Sequence, residues 1–203
     1  MNLKKIITET EKNPIISKWS FEFSIHPPFD VYLNNKDGNH GYFKLLDNIV
    51  SSLKNDATIV ELGNREGMGI LAIYNSLKTK QKFISIDIIN DCRFVPKIIR
   101  EDKRVIIDNN FNSLDSAKIK NYFRPKQIDL LFFDTIHTYE QIKQEYELWQ
   151  SYMSDECIFL IDDIRDIQED RSKWKFHEEV TCSEKYDITD WGHARTGFGV
   201  YKK

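Results

Sequence analysis

The chain has 203 residues, with 29 Lys+Arg against 32 Asp+Glu (net charge −3), 40% apolar and 13% aromatic residues. This length and composition fit one domain with a real core and exclude general disorder. The near-neutral balance gives no reason to expect nucleic acid or an anionic membrane as partner.

The opening MNLKKIITETEKN has two lysines but lacks the apolar core of a signal peptide. No run approaches the roughly 18–20 apolar residues of a membrane span. Cys92, Cys157 and Cys182 are odd in number and far apart, so neither a disulfide framework nor a zinc knuckle is expected. A reduced, cytoplasmic setting is the default expectation. Residues 1–40 read as an irregular or weakly helical leader, set apart from a domain over 41–203. Its stretch from Ile16 to Tyr32 carries Trp19, Phe21, Phe23, Phe29 and Tyr32 around Pro27-Pro28, and the prolines exclude one long helix. The leader reads either as a cover over apolar surface or as a flap over a ligand site. A homodimer through it is compatible with the sequence.

From Tyr42 the pattern becomes regular. Helical spacing marks Tyr42–Leu53, Met68–Leu77, Phe94–Arg100, Leu114–Tyr122 and Tyr139–Tyr152. Between them lie strand-like runs at Ala57–Leu62, Lys82–Ile88, Arg104–Ile107, Ile128–Phe133 and Cys157–Ile161. This alternation predicts βαβ units and a mainly parallel sheet covered by helices on both faces, a three-layer α/β sandwich. Nearly continuous apolar runs such as LLFF and IFLI fit strands buried on both sides. A polar helix near Ile167–Val180 precedes two strands, Lys185–Ile188 and Gly197–Tyr201. The link between them is too short for a crossover helix, so they should form an antiparallel hairpin.

Six of the eight glycines fall in two clusters, Gly63, Gly67, Gly69 and Gly192, Gly197, Gly199. The first cluster sits between a strand and a helix, where glycines permit a tight turn and close approach of a ligand to the backbone. Its spacing is G-x-x-x-G-x-G, not the dinucleotide G-x-G-x-x-G, and no Lys-Ser/Thr pair follows. An oxidoreductase using a nicotinamide cofactor is therefore disfavoured. Asp87 ends the next strand, where a carboxylate can accept the hydroxyls of a ribose. The second cluster reads as a flexible link and a strand.

Asp134 and His137 follow the fourth strand, and Asp162-Asp163 end the fifth. Parallel strands carry their C-terminal ends to one edge, so three carboxylates and an imidazole should meet there. Such like charges repel, and Mg²⁺ or a similar oxygen-seeking divalent cation would relieve them. One or more of these aspartates reads alternatively as a helix cap or solvent-facing strand end; the metal reading rests on all three. His137 reads as a general base.

The stretch VELGNREGMG, Val60–Gly69, resembles the first motif of class I S-adenosylmethionine-dependent methyltransferases. FFDTIHTYEQIKQEYELW followed by FLIDDI resembles their small-molecule O-methyltransferase branch, which parallels the metal-dependent catechol-type enzymes. The resemblance implies a Rossmann-like sheet of seven strands in the order 3-2-1-4-5-7-6, the last pair being the hairpin. It implies S-adenosyl-L-methionine contacts at Glu61, Gly63, Asn64, Gly67, Asp87, Ile88, Asp108, Asn109 and Asp134. It also implies metal ligation by Asp134, Asp162 and Asp163, with Asp134 and His137 catalytic. Two departures stand out. Thr135-Ile136 replaces a small and an acidic residue before the histidine, and Ser154-Asp155-Glu156 replaces a Pro-Gly-Gly turn. The expected reaction is methyl transfer to a hydroxyl of a small molecule, a sugar or other metabolite. A metal-independent N- or O-methyltransferase, or a catalytically silent binding protein, are the alternatives. Trp19, Phe23, Phe29, Trp174, His177 and Trp191 are candidate pocket walls, and aromatic core packing explains them equally well.

Overall fold

A computed structural model describes residues 1–23, 40–165 and 173–203. The second half of the aromatic leader, with Pro27, Pro28, Phe29 and Tyr32, lies outside them, as does the first part of the helix expected from Ile167.

The strands are β1 (Thr58–Leu62), β2 (Lys82–Ile86), β3 (Val105–Asp108), β4 (Ile128–Phe133), β5 (Met153–Asp162), β6 (Glu184–Asp187) and β7 (Phe198–Lys202). They form one sheet in the order β3-β2-β1-β4-β5-β7-β6. The first five pair in parallel, and β7 runs antiparallel to both β5 and β6. This is the Rossmann-like α/β arrangement expected, hairpin included. Alternate residues feed two cores. Ile59, Phe83, Leu130, Phe132, Leu160 and Val200 face one side; Val60, Ile84, Leu131, Phe133, Ile161 and Tyr201 face the other. Full burial on both faces is why these strands read as unbroken apolar runs rather than as alternating ones.

The helices are α1 (Leu3–Lys12), α2 (Tyr42–Ser52), α3 (Met68–Asn75), α4 (Lys97–Arg100), α5 (Ser116–Tyr122), α6 (Tyr139–Trp149), α7 (Trp174–Glu179) and α8 (Thr189–Gly192). α1 is firmer than the sequence led us to expect. Asn2 caps it by accepting from the Lys5 amide, and Leu3, Ile7 and Thr10 bury one stripe. That stripe packs on α2. None of the helices among the described residues is long and apolar enough to cross a membrane.

β5 begins earlier than expected. Ser154-Asp155-Glu156, read as a turn, lies inside it, where the register against β4 shifts: Ile128 pairs with Met153 but Leu130 with Ile158. The bulge turns Asp155 and Glu156 outward to Lys126 and Lys202.

Candidate active site

The parallel strands end at one edge, and a cavity of about 970 Å³ opens there. Its wall includes Gly63, Asn64, Asp87 and Ile88 on one side, and Asp134, His137, Asp162 and Asp163 on the other.

The loop after β1 is shaped by its glycines. Gly63 has φ +86°, and a Cβ on it would lie 2.0 Å from the Asp134 carbonyl oxygen. Only glycine fits a left-handed backbone at such close approach. Asp87 accepts the Asn64 and Arg65 amides on Oδ2, each at 2.8 Å, and the Ile89 amide on Oδ1 at 2.9 Å. It thereby clamps the loop as well as facing the cavity. Asn64 donates from Nδ2 to Ser85 and to Asn109.

Four residues expected at the cofactor do not line the cavity. Glu61 is buried beneath the loop, where Ser85 Oγ donates to its Oε2 at 2.7 Å. Burial pushes its carboxyl up to about 8. Gly67 closes the loop against Val95. Asp108 is engaged by Lys118 and by the Tyr122 hydroxyl. Asn109 supports Asn64 from below.

The acidic side is denser. Asp162 is 5% exposed, and its buried Oδ1 has no hydrogen-bond partner. Burial and the neighbouring carboxylates push Asp134 well up, and burial and Asp163 push Asp162 up. Burial works in the same sense on Asp163, but its contact with His137, reinforced by Thr196, holds it low. His137 Nδ1 stands 2.5 Å from Asp163 Oδ2 in an ion-pair contact. Lys173 is buried at 1% exposure, and its Nζ donates to the Asp162 carbonyl at 2.8 Å. Its charge partly offsets all three carboxylates.

Several lining residues were not foreseen: His40, Tyr42, Phe111–Leu114, Gln141 and His193. His193 belongs to the link taken as merely flexible. Gly197, at φ +83°, instead closes a turn there and donates its amide to the His193 carbonyl at 2.8 Å. Antiparallel pairing of Asp162 with Phe198 brings the chain just before β7 to the end of β5, a signal latent in the hairpin. Asp162, Asp163 and His193 each offer a ligand atom within 4.8 Å of the others; Asp134 is outside that group. The described aromatic wall candidates, Trp19, Phe23, Trp174, His177 and Trp191, do not line the cavity. Trp19 and Phe23 pack edge to face, and Phe21 meets Tyr74 of α3.

A family model described as a methyltransferase domain matches residues 60–164, which run from β1 through the end of β5. The chain belongs to this methyltransferase-domain family. The matched segment contains the glycine loop, Asp87, Asp134, His137 and the Asp162-Asp163 pair. An uncharacterized protein of Acanthamoeba polyphaga mimivirus is 27% identical over 143 residues, covering 63% of this chain and 61% of the viral one. The match thus spans about three-fifths of that relative's length. Among solved structures, a Corynebacterium glutamicum protein superposes with TM-score 0.64 at 13% identity, over 99% of this chain and 88% of the other. A methyltransferase from Geobacter sulfurreducens gives 0.60 at 10% identity, over 98% and 88%. An O-methyltransferase from Bacillus cereus, solved in complex with S-adenosylhomocysteine (SAH), gives 0.56 at 11%, over 98% and 89%. These likenesses show that the methyltransferase domain shares their fold.

Proposed function

We propose that this methyltransferase domain transfers the methyl group of S-adenosylmethionine to a hydroxyl oxygen of a small molecule, with a divalent cation assisting. The observation that carries the reading is the meeting, around one cavity, of a clamped glycine loop and a carboxylate–histidine cluster. A cavity of about 970 Å³ suits a nucleoside-sized cofactor with a small acceptor such as a sugar. The Bacillus cereus enzyme of the same fold, solved with SAH, supports the choice of cofactor.

On the loop side, Gly63 and Asn64 would border the methionine part of the cofactor and Asp87 its ribose. The sulfonium of the cofactor supplies an already activated methyl group, so positioning carries much of the remaining rate. The acidic side fits a cation, because Asp162 Oδ1 is buried without a hydrogen-bond partner among three crowded carboxylates. Asp134, Asp162 and Asp163 would hold it, and a bound divalent ion supplies a Lewis acid toward the acceptor hydroxyl. Asp163 engages His137 Nδ1, which leaves Nε2 as the nitrogen to accept the hydroxyl proton.

A second reading, transfer without metal, is favoured by Lys173, whose buried charge already offsets part of the acidic cluster. Turnover of a hydroxylated acceptor panel by chelator-stripped protein separates the two. Under the first reading, stripping lowers turnover at least about 10-fold while SAH affinity is kept, and added divalent ion restores it. His137→Ala and Asp134→Ala should likewise cut turnover and spare SAH binding. Full turnover in the stripped protein would establish the metal-free reading, and full turnover in both variants would sink the proposed roles.

A further inference from the structure

We infer that an imidazole, His193, joins the carboxylates of the divalent site, so that Asp162 and Asp163, which with Asp134 would hold the ion, gain a nitrogen partner and the mixed oxygen–nitrogen set favours a transition ion such as Mn²⁺ or Co²⁺ over Mg²⁺. The inference rests on the metal-assisted reading above and adds the ligand that sets the kind of ion.

The first support is the orientation of the ring. His193 Nε2 lies 4.0 Å from Asp162 Oδ1 and 3.9 Å from Asp163 Oδ1. Both separations exceed hydrogen-bond length. They fall within the reach of two metal–ligand bonds of about 2.1 Å each, whose far ends lie at most about 4.2 Å apart, so a modest inward shift of the side chains seats one ion. The second is the unpartnered oxygen itself. Asp162 Oδ1, on a side chain about nine-tenths buried, is the atom turned toward Nε2. A buried carboxylate oxygen without a hydrogen bond is costly, and a cation satisfies it.

The third support comes from what holds the other side of the ring. Thr196 Oγ1 donates to Asp163 Oδ1 and lies 3.3 Å from His193 Nδ1. With its proton committed to Asp163, the hydroxyl is left to accept from Nδ1–H. That tautomer puts the lone pair on Nε2, facing the two carboxylates, as metal ligation requires. The ring plane is fixed as well. Tyr42 stacks on His193 at 5.4 Å and 10°, and Tyr42 in turn stacks on Phe198 at 4.7 Å. The Gly197 amide anchors the His193 carbonyl. Such packing holds a ligand in place before the ion arrives.

Carboxylates and water suit Mg²⁺, which rarely takes nitrogen, whereas imidazole suits the later divalent ions. Mixed nitrogen and oxygen sites generally bind Co²⁺ more tightly than Mg²⁺, so that preference alone decides nothing. Its dependence on His193 does.

The test is binding of Co²⁺ and of Mg²⁺ to chelator-stripped protein by titration calorimetry, with the visible absorption and paramagnetic proton spectrum of Co²⁺ as a second readout. His193→Ala and His193→Gln are expected to lower Co²⁺ affinity at least about 10-fold and to change Mg²⁺ affinity much less. Thr196→Val should lower Co²⁺ affinity by a smaller factor. In the unaltered protein, one exchangeable, Co²⁺-shifted imidazole N–H resonance is expected from His193 Nδ1, which needs no variant to fold. Unchanged Co²⁺ affinity in both His193 variants, or Co²⁺ bound without that resonance, overturns the inference. If Asp162→Asn then still abolishes Co²⁺ binding, the metal-assisted reading survives on the carboxylates alone. A stripped protein that binds neither ion overturns both.

Discussion

The two sides of the cavity satisfy their polar groups in opposite ways. Around the glycine loop, Asp87 accepts three backbone amides, and Asn64, Ser85, Asn109 and Glu61 hydrogen-bond among themselves. That side is complete from the protein's own donors, and its shape is set before a ligand arrives. At the ends of β4 and β5, three carboxylates crowd together, and one buried oxygen has no hydrogen bond. The difference separates a cradle shaped in advance from a charge cluster that the protein's own donors leave incomplete.

The two sides meet at Gly63, and breaking that contact should have the largest effect. Gly63→Ala forces a side chain at φ +86° to within 2.0 Å of the Asp134 carbonyl. We expect a loss of about 3 kcal/mol or more in urea unfolding, with failure to fold at the upper end. A variant with the unaltered midpoint would show that the two sides are not locked at this point.

Glu61 sharpens the comparison through pH. Its folded carboxyl titrates at about 8 against an ordinary value of 4.5, because burial disfavours its ionised form. The folded protein therefore keeps a proton that the unfolded chain releases. The stability this provides is full below pH about 4.5 and lost as pH rises to about 8. Glu61→Gln removes that dependence and retains an acceptor for Ser85. Near pH 9 the variant should be the more stable by up to about 5 kcal/mol, and near pH 4 the two should be equal. Denaturation at several pH values checks this; parallel curves for the two proteins would mean that Glu61 is ionised when folded.

The loop side was legible because its chemistry lies in one contiguous stretch between a strand and a helix. Apolar runs such as IDLLFF fixed the sheet equally well, since burial on both faces leaves them little choice. His193 was hidden because its partners, Asp162 and Asp163, are some thirty positions earlier in the chain and meet it only through antiparallel pairing of β5 with β7. A glycine-rich link looks flexible until a left-handed Gly197 is seen closing it. α1 was underrated because its polar faces mask a stripe, Leu3, Ile7 and Thr10, that acquires meaning only against α2. Trp19 and Phe23 went the other way: read as pocket walls or core, they pack against each other and against Phe21, which meets Tyr74 of α3.

The smallest effect concerns a departure from the related motif. Thr135 stands where the motif it resembles would carry a small residue, and its hydroxyl donates to Glu145 Oε2 at 2.8 Å. Glu145 is fully buried, and Ser113 and Gln141 both donate to its Oε1. Through Glu145, Thr135 ties the acidic side to the Phe111–Leu114 wall of the cavity, much as Asp87 ties the loop. Burial raises the Glu145 carboxyl, and these donors act against that. Thr135→Val keeps the bulk and removes one donor of three, so the cost should be about 1 kcal/mol in urea unfolding. Ion affinity should not change, because no ligand atom is touched. A loss of about 3 kcal/mol would mean that the network fails as a unit. The acidic side would then depend on its own hydrogen bonds as much as the glycine loop does.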